Sequence, residues 1–328
     1  MRDWAVLALS LLYLGFLFLI AWHGDRRRRL GKGSRRAPIV YPLSIAVYCS
    51  SWTLYGAVGE AATNGFGFFS IYLGPILVMA LGWPLIQRMI RIARAENSVS
   101  ISDFIAARYG KSRPLAALVT LTALVGLLPY FALQLKAITI SFETLTGGAG
   151  RGLPGGTTAL VAVAMAAFAV LFGVRSVNAT EPHRGLMLAV AAESLVKLVA
   201  FIAVGVVVTW GMFGGLEDLW TRASASPRVM KIFSEPVDWT TMVVMTGLSA
   251  IAILLLPRQF HVSVVENHDE RDVKASSWLF PLYLVAINLF VVPLAVAGLL
   301  VFPDGAIDRD MTVLALPLQA GRHVLAVL

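Results

Sequence analysis

WAVLALSLLYLGFLFLIAW, residues Trp4 to Trp22, is followed by His23-Gly24-Asp25 and then by four arginines, Arg26 to Arg29. A helix needs about 20 predominantly apolar residues to cross a hydrocarbon core roughly 30 Å thick, and this run supplies them. A secretory signal peptide puts its basic residues before the apolar run and ends at a small-residue cleavage site, which is the reverse of the order here. The stretch therefore reads as a retained transmembrane helix with its N-terminus outside.

The rest of the chain repeats the pattern. Apolar blocks run near 41–60, 68–90, 114–142, 157–174, 184–212, 240–256 and 277–301, and another opens near Met311 and is still apolar at Leu328. Composition agrees: 58% of the 328 residues are hydrophobic and 14% charged, with a mean hydropathy of +0.76, whereas a soluble globule carries about 25% charged residues. The expectation is an all-α polytopic membrane protein with eight full transmembrane helices and the start of a ninth. The single cysteine, Cys49, lies inside an apolar block and can build neither a disulfide framework nor a thiolate metal site.

Loop charge gives the orientation. With Met1 outside, the inner segments near 24–40, 87–113, 175–184 and 257–276 hold eighteen basic residues. The outer segments hold six: Arg2, Arg151, Arg222, Arg228, Lys231 and Arg309. Such a bias is what short cytoplasmic loops show. The net charge of +8 is then a matter of topology, with anionic lipid as its partner and no need of nucleic acid. In the second inner segment Ser100 and Asp103 form an N-cap signature, and Ile101, Phe104 and Ile105 share a face until Gly110 stops the turn. A short helix on the cytoplasmic surface is expected there.

Polar and permissive residues inside the bilayer are costly and mark function or packing. The block 41–60 is richest in them, with Cys49, Ser50, Ser51 and Thr53 around Trp52, then Gly56 and Gly59. Hydroxyls and glycines suit a broken helix lining a polar cavity. They suit equally a continuous helix that packs closely through its small residues. Gln134 and Lys136 sit toward the outer end of 114–142, where one reading is a lysine that snorkels to the surface and the alternative is a Gln134 that lines a cavity. Glu193 and Lys197, four apart, read as an ion pair on one helical face. His261 and His268 have no third ligand at metal-site spacing. No phosphate loop, nucleotide signature or activated nucleophile is present, so the chain has no catalytic site of its own.

The run from Ala46 through Ser50, Ser51 and Trp52 to Gly56 and Gly59 resembles the first core helix of the sodium:solute symporter family. ISDFIAARYG (101–110) and LPRQFH (256–261) look like two further motifs of that family, although Val262 stands where an arginine is usual nearby. More narrowly, YCSSWTLYG (48–56), IYLGP (71–75), PYFALQLKAI (129–138) and VVEN (264–267) resemble the symporter-like N-terminal region of bacterial sensor histidine kinases. The resemblance implies a LeuT-like bundle of two inverted five-helix repeats after one extra helix. Residues 1–40 would be that extra helix and its basic loop, 41–213 the first repeat and 239–328 an incomplete second one. It also implies a bacterial inner-membrane protein and a solute path lined by Ser50, Ser51, Trp52, Gly56 and Gln134. Sodium would be held by the backbone carbonyls of Ala46 and Cys49, with hydroxyls beyond Leu328 completing the site.

Two functions follow from the resemblance. One is the sensor or transport module of a two-component sensor histidine kinase, with kinase core, kinase homodimer contacts and response-regulator docking all beyond Leu328, so that this chain alone would neither accumulate solute nor signal. The other is a sodium-coupled secondary transporter of a small polar solute such as an amino acid. Tyr48 stands where the proline carriers of the family have an acidic residue, which weakens sodium coupling of the proline type.

Overall fold

The computed structural model describes residues 3–29, 39–146, 156–168, 184–302, 306–322 and 325–326. Among them all regular structure is helical. Helix α1 spans Asp3–Arg29, α2 Val40–Ile45, α3 Ala57–Asn64, α4 Phe69–Glu96, α5 Ile101–Arg108, α6 Arg113–Thr146, α7 Gly156–Phe168 and α8 Arg184–Val206. They are followed by α9 Leu216–Ala225, α10 Pro227–Ser234, α11 Trp239–Leu255, α12 Pro257–Phe260, α13 Glu270–Asn288, α14 Val291–Val301 and α15 Thr312–Gln319.

Five described helices are long and apolar enough to cross a membrane, or six if the pair α10 and α11, bent by 70°, counts as one span. The expected number was larger, and the difference has local causes. The block 41–60 contains no continuous helix, α11 is 17 residues long, and α7 is described only to Phe168, so that the rest of the block 157–174 and the basic segment 175–183 lie outside the described residues.

The core runs along α13 and α14, where Phe280, Leu284, Ile287, Val291, Leu294 and Ala295 are fully buried. Around it α4 packs on α11 and α13, α2 on α8 and α13, and α14 on α3. Helix α6 is the opposite case: Leu118, Leu121, Leu124, Val125 and Leu128 are all exposed, as expected for a surface whose solvent is lipid.

Two crossings need bare backbone. A Cβ on Gly74 would lie 2.2 Å from Ser249 Oγ and 2.4 Å from the Thr246 carbonyl oxygen, so α4 and α11 touch through that glycine. Gly185 is equally confined: a Cβ there would lie 2.2 Å from the Ala21 carbonyl oxygen. Its N–H donates to Asp25 Oδ1 at 2.9 Å, locking α8 to α1.

Ser100 caps α5 by accepting the Asp103 N–H at 3.1 Å, and Gly110 ends the segment at φ +65°, as the sequence predicts. The apolar face of α5 does not stand free: Phe104 meets the Phe260 ring at 5.2 Å, and Ser102 pairs with Thr120 of α6 at 2.9 Å. The segment expected outside, which carries Arg222, Arg228 and Lys231, holds α9 and α10. Arg228 of α10 donates to the carbonyls of Leu299 and Phe302, closing the end of α14.

Candidate functional site

The block 41–60 is a broken helix. Helix α2 tightens into a 3-10 turn over Ala46–Tyr48, the backbone extends at Cys49 (φ −75°, ψ 103°), and a π-helical turn over Trp52–Gly56 leads into α3. Ser50 organises the restart: its hydroxyl accepts the Trp52 N–H at 3.3 Å and its carbonyl the Thr53 N–H at 3.0 Å. The small-residue reading also holds, one turn further on. A Cβ on Gly59 would lie 2.0 Å from Asp310 Oδ1, so α3 meets the 309–311 turn through its backbone.

A small open pocket lies between the restart, α6 and that turn. Ser51, Trp52 and Gly56 line it, together with Lys136 of α6 and Asp310. The Ser51 hydroxyl donates to Gln134 Oε1 at 2.7 Å, which ties the broken helix to α6 at the edge of the pocket, while Gln134 Nε2 is buried with no protein acceptor. Trp52 leans on Tyr72 of α4, ring centroids 6.1 Å apart. Of the five residues expected on the solute path, Ser51, Trp52 and Gly56 thus face the pocket, Gln134 stands behind Ser51, and Ser50 is spent on the backbone.

Lys136 does more than reach for the membrane surface. Its Nζ lies 3.9 Å from Asp308 Oδ2. Burial, and next the neighbouring Asp308, push the Asp310 carboxyl above the usual carboxylate range, with Lys136 opposing.

The first half of the broken helix ends in carbonyls without helical donors, and other helices supply them. Gln259 Nε2 donates to the Ile45 oxygen at 3.3 Å, Arg258 Nη2 to the Tyr48 oxygen at 3.4 Å, and Lys197 Nζ to the Cys49 oxygen at 3.2 Å. Arg258 is steadied by Tyr130, through the phenol oxygen and through a ring centroid 4.6 Å from the guanidinium carbon. Lys197 also meets Glu193 Oε1 at 2.5 Å, the ion pair expected from the spacing. The Tyr48 hydroxyl donates to the Ile71 carbonyl at 3.0 Å.

The two carbonyls expected to hold sodium both have protein donors in this arrangement. Ala46 accepts the Cys49 N–H at 2.9 Å and Cys49 accepts Lys197. His261 Nε2 lies 3.3 Å from Glu266 Oε1, and His268 Nδ1 lies 2.7 Å from the Glu266 carbonyl. No group of three or more His, Cys, Asp or Glu residues placed to hold a metal ion occurs among the described residues.

Sequence reasoning missed Arg258, Gln259 and the reach of Lys197. The first two stood in a phrase valued only for its resemblance, and Lys197 was fully accounted for by Glu193. The available signal was bookkeeping of the backbone: a break inside a membrane helix requires buried donors from elsewhere.

The family model for the sodium:solute symporter family matches residues 33–307. The chain is similar to a curated protein named "Uncharacterized symporter YhjB" from Bacillus subtilis (strain 168), 25% identical over 285 residues, which are 86% of this chain and 55% of that protein. It thus spans about half the length of the curated relative it matches. No solved structure matches.

Proposed function

This chain belongs to the sodium:solute symporter family, and from that premise we propose that it serves a secondary transporter which moves a small polar solute, such as an amino acid, with sodium. The observation that carries this reading is the junction at the pocket, where Ser51 of the broken helix bonds Gln134 of α6 and Gln134 keeps a buried, unspent donor. A buried amide donor without an acceptor costs about 1–3 kcal/mol, which an arriving solute carboxylate or carbonyl would recover. Ser51, Trp52 and Gly56 supply the hydroxyl, the aromatic face and the close backbone approach that a small solute pocket uses.

Transport is favoured over the sensor-kinase module because the family match and the name of the relative both speak of symport, and neither speaks of phosphotransfer. In this reading residues 41–213 and 239–328 belong to two inverted repeats of a LeuT-like bundle, preceded by the helix in 1–40. The protein sits, as the family resemblance implies, in a bacterial inner membrane, and the charge bias supports an N-terminus outside.

Uptake by proteoliposomes under an inward sodium gradient tests the proposal, with radiolabelled proline as first probe and the other proteinogenic amino acids after it. Gln134→Ala should raise the half-saturating concentration of the transported solute about tenfold, the equivalent of ~1.4 kcal/mol for one lost hydrogen bond. Trp52→Ala should lower uptake at least as much. If both variants transport like the parent at equal abundance, the path does not run past these residues.

A further inference from the structure

The carbonyl end of a helix carries about half a negative charge, and here that end lies at the half-buried Tyr48 and the buried Cys49. Two full cations face it, Arg258 at Tyr48 and Lys197 at Cys49, each brought from another part of the chain and each held by a second group, Tyr130 and Glu193 respectively. An i,i+4 ion pair needs no third partner. Yet the Lys197 side chain, only 21% exposed, turns its ammonium to a backbone oxygen 148 residues away while it keeps Glu193 at 2.5 Å. Tyr13 of α1 and Tyr283 of α13 also lie within the electrostatic reach of Glu193, and the Tyr283 hydroxyl bonds the Ser194 carbonyl, so this neighbourhood is enclosed on several sides.

We propose that the Lys197 ammonium is the resident cation of the broken helix: it holds the Cys49 carbonyl where a soluble monovalent cation would otherwise bind, so sodium reaches that oxygen only after Lys197 has left it. An ammonium and a sodium ion present the same charge to the same hard oxygen and cannot share its near side. Removing the ammonium leaves a carboxylate, Glu193, and a carbonyl, Cys49, as two uncompensated oxygen ligands in a partly buried place, which is a start on a sodium site. The inference rests on reading 40–64 as the broken helix beside the solute path. It assigns any sodium bound with Lys197 in place to oxygens other than that of Cys49.

Cys49 is the single cysteine of the 328 residues and its side chain is buried, so the rate at which N-ethylmaleimide modifies it reports opening at this carbonyl. The protein is labelled in membranes in sodium chloride or in choline chloride of equal ionic strength, and the Cys49 peptide is followed by mass. The parent and K197R should react at the same rate in both salts. K197M should react severalfold faster in choline and be slowed by sodium, and K197M with E193Q should be fast in both. Sodium protection of Cys49 in the parent, or the lack of any sodium effect in K197M, would overturn the proposal. Should K197M not reach the membrane, K197Q takes its place with the same expectation, and the parent and K197R arms still decide. Failure of the transport reading would be separate: uptake by the Trp52→Ala and Gln134→Ala variants would equal the parent's while the labelling pattern stood.

Discussion

Gly74→Ala should loosen the wall behind the pocket, and the structure sets the size of the effect. The added methyl would sit 2.4 Å from the Thr246 carbonyl oxygen and 2.5 Å from the Ala250 nitrogen, where ordinary contacts are 3.4–4 Å. Both are backbone atoms of α11 and cannot swing aside, so α4 and α11 must part by about 1 Å, an overpacking cost of roughly 1–3 kcal/mol. Ser249, whose hydroxyl meets the Ser70 carbonyl at 3.0 Å across the same crossing, loses a bond worth about 1 kcal/mol. Alanine's better helix propensity returns about 1 kcal/mol, leaving a net loss of roughly 1–3 kcal/mol. Gly82, on the same helix, has only a Val78 methyl at 3.7 Å, so Gly82→Ala should be neutral or stabilising. Thermal melts of the two variants in one detergent, read by intrinsic fluorescence, compare them directly. Because α4 also carries Tyr72 against Trp52 and accepts the Tyr48 hydroxyl at Ile71, Gly74→Ala should lower solute uptake as well. Equal melting temperatures for the two variants would refute the close-crossing argument.

Other perturbations test separate contacts. Asp310→Asn should raise the melting temperature at neutral pH: a carboxyl whose folded pKa is raised loses stability as pH climbs through that value, so the advantage should fade toward acid pH, and a constant difference across pH would contradict it. Arg94→Met removes donors to the Asn267 carbonyl at 2.6 Å and side-chain oxygen at 3.0 Å, and should destabilise by about 1.5–3 kcal/mol in chemical denaturation. With Cys49 replaced, single cysteines at Arg27 and Arg94 should resist an impermeant thiol reagent in intact cells, and labelling of either would invert the proposed orientation.

Much of the architecture was written in local pattern. Apolar runs gave the long helices, and Ser100, Asp103 and Gly110 gave α5 almost to the residue, because capping is a contact between neighbours. Helices α9 and α10 were legible too, though unread: Glu217 and Asp218 open α9, Arg222 bonds Asp218 at 2.9 Å, and Pro227 stands in the first turn of α10. At 41–60 two readings stood open because one composition serves both, and the structure uses both, unwinding at Cys49 and packing through Gly59. What could not be read were the contacts of Lys197, Arg258 and Lys136 with Cys49, Tyr48 and Asp308, since periodicity carries no information about partners so far along the chain.

Those distant contacts also order events in time. The carbonyls of Cys49, Tyr48 and Ile45 wait for donors 148, 210 and 214 residues later. A ribosome adding about 5–20 residues per second needs roughly 10–40 s to deliver the last of them. In that interval an unwound backbone within the bilayer would leave each carbonyl unsatisfied at several kcal/mol, so the nascent segment is cheapest as one continuous helix. The expectation is that the break forms late in maturation, when α8 and the stretch after α11 reach the early segment.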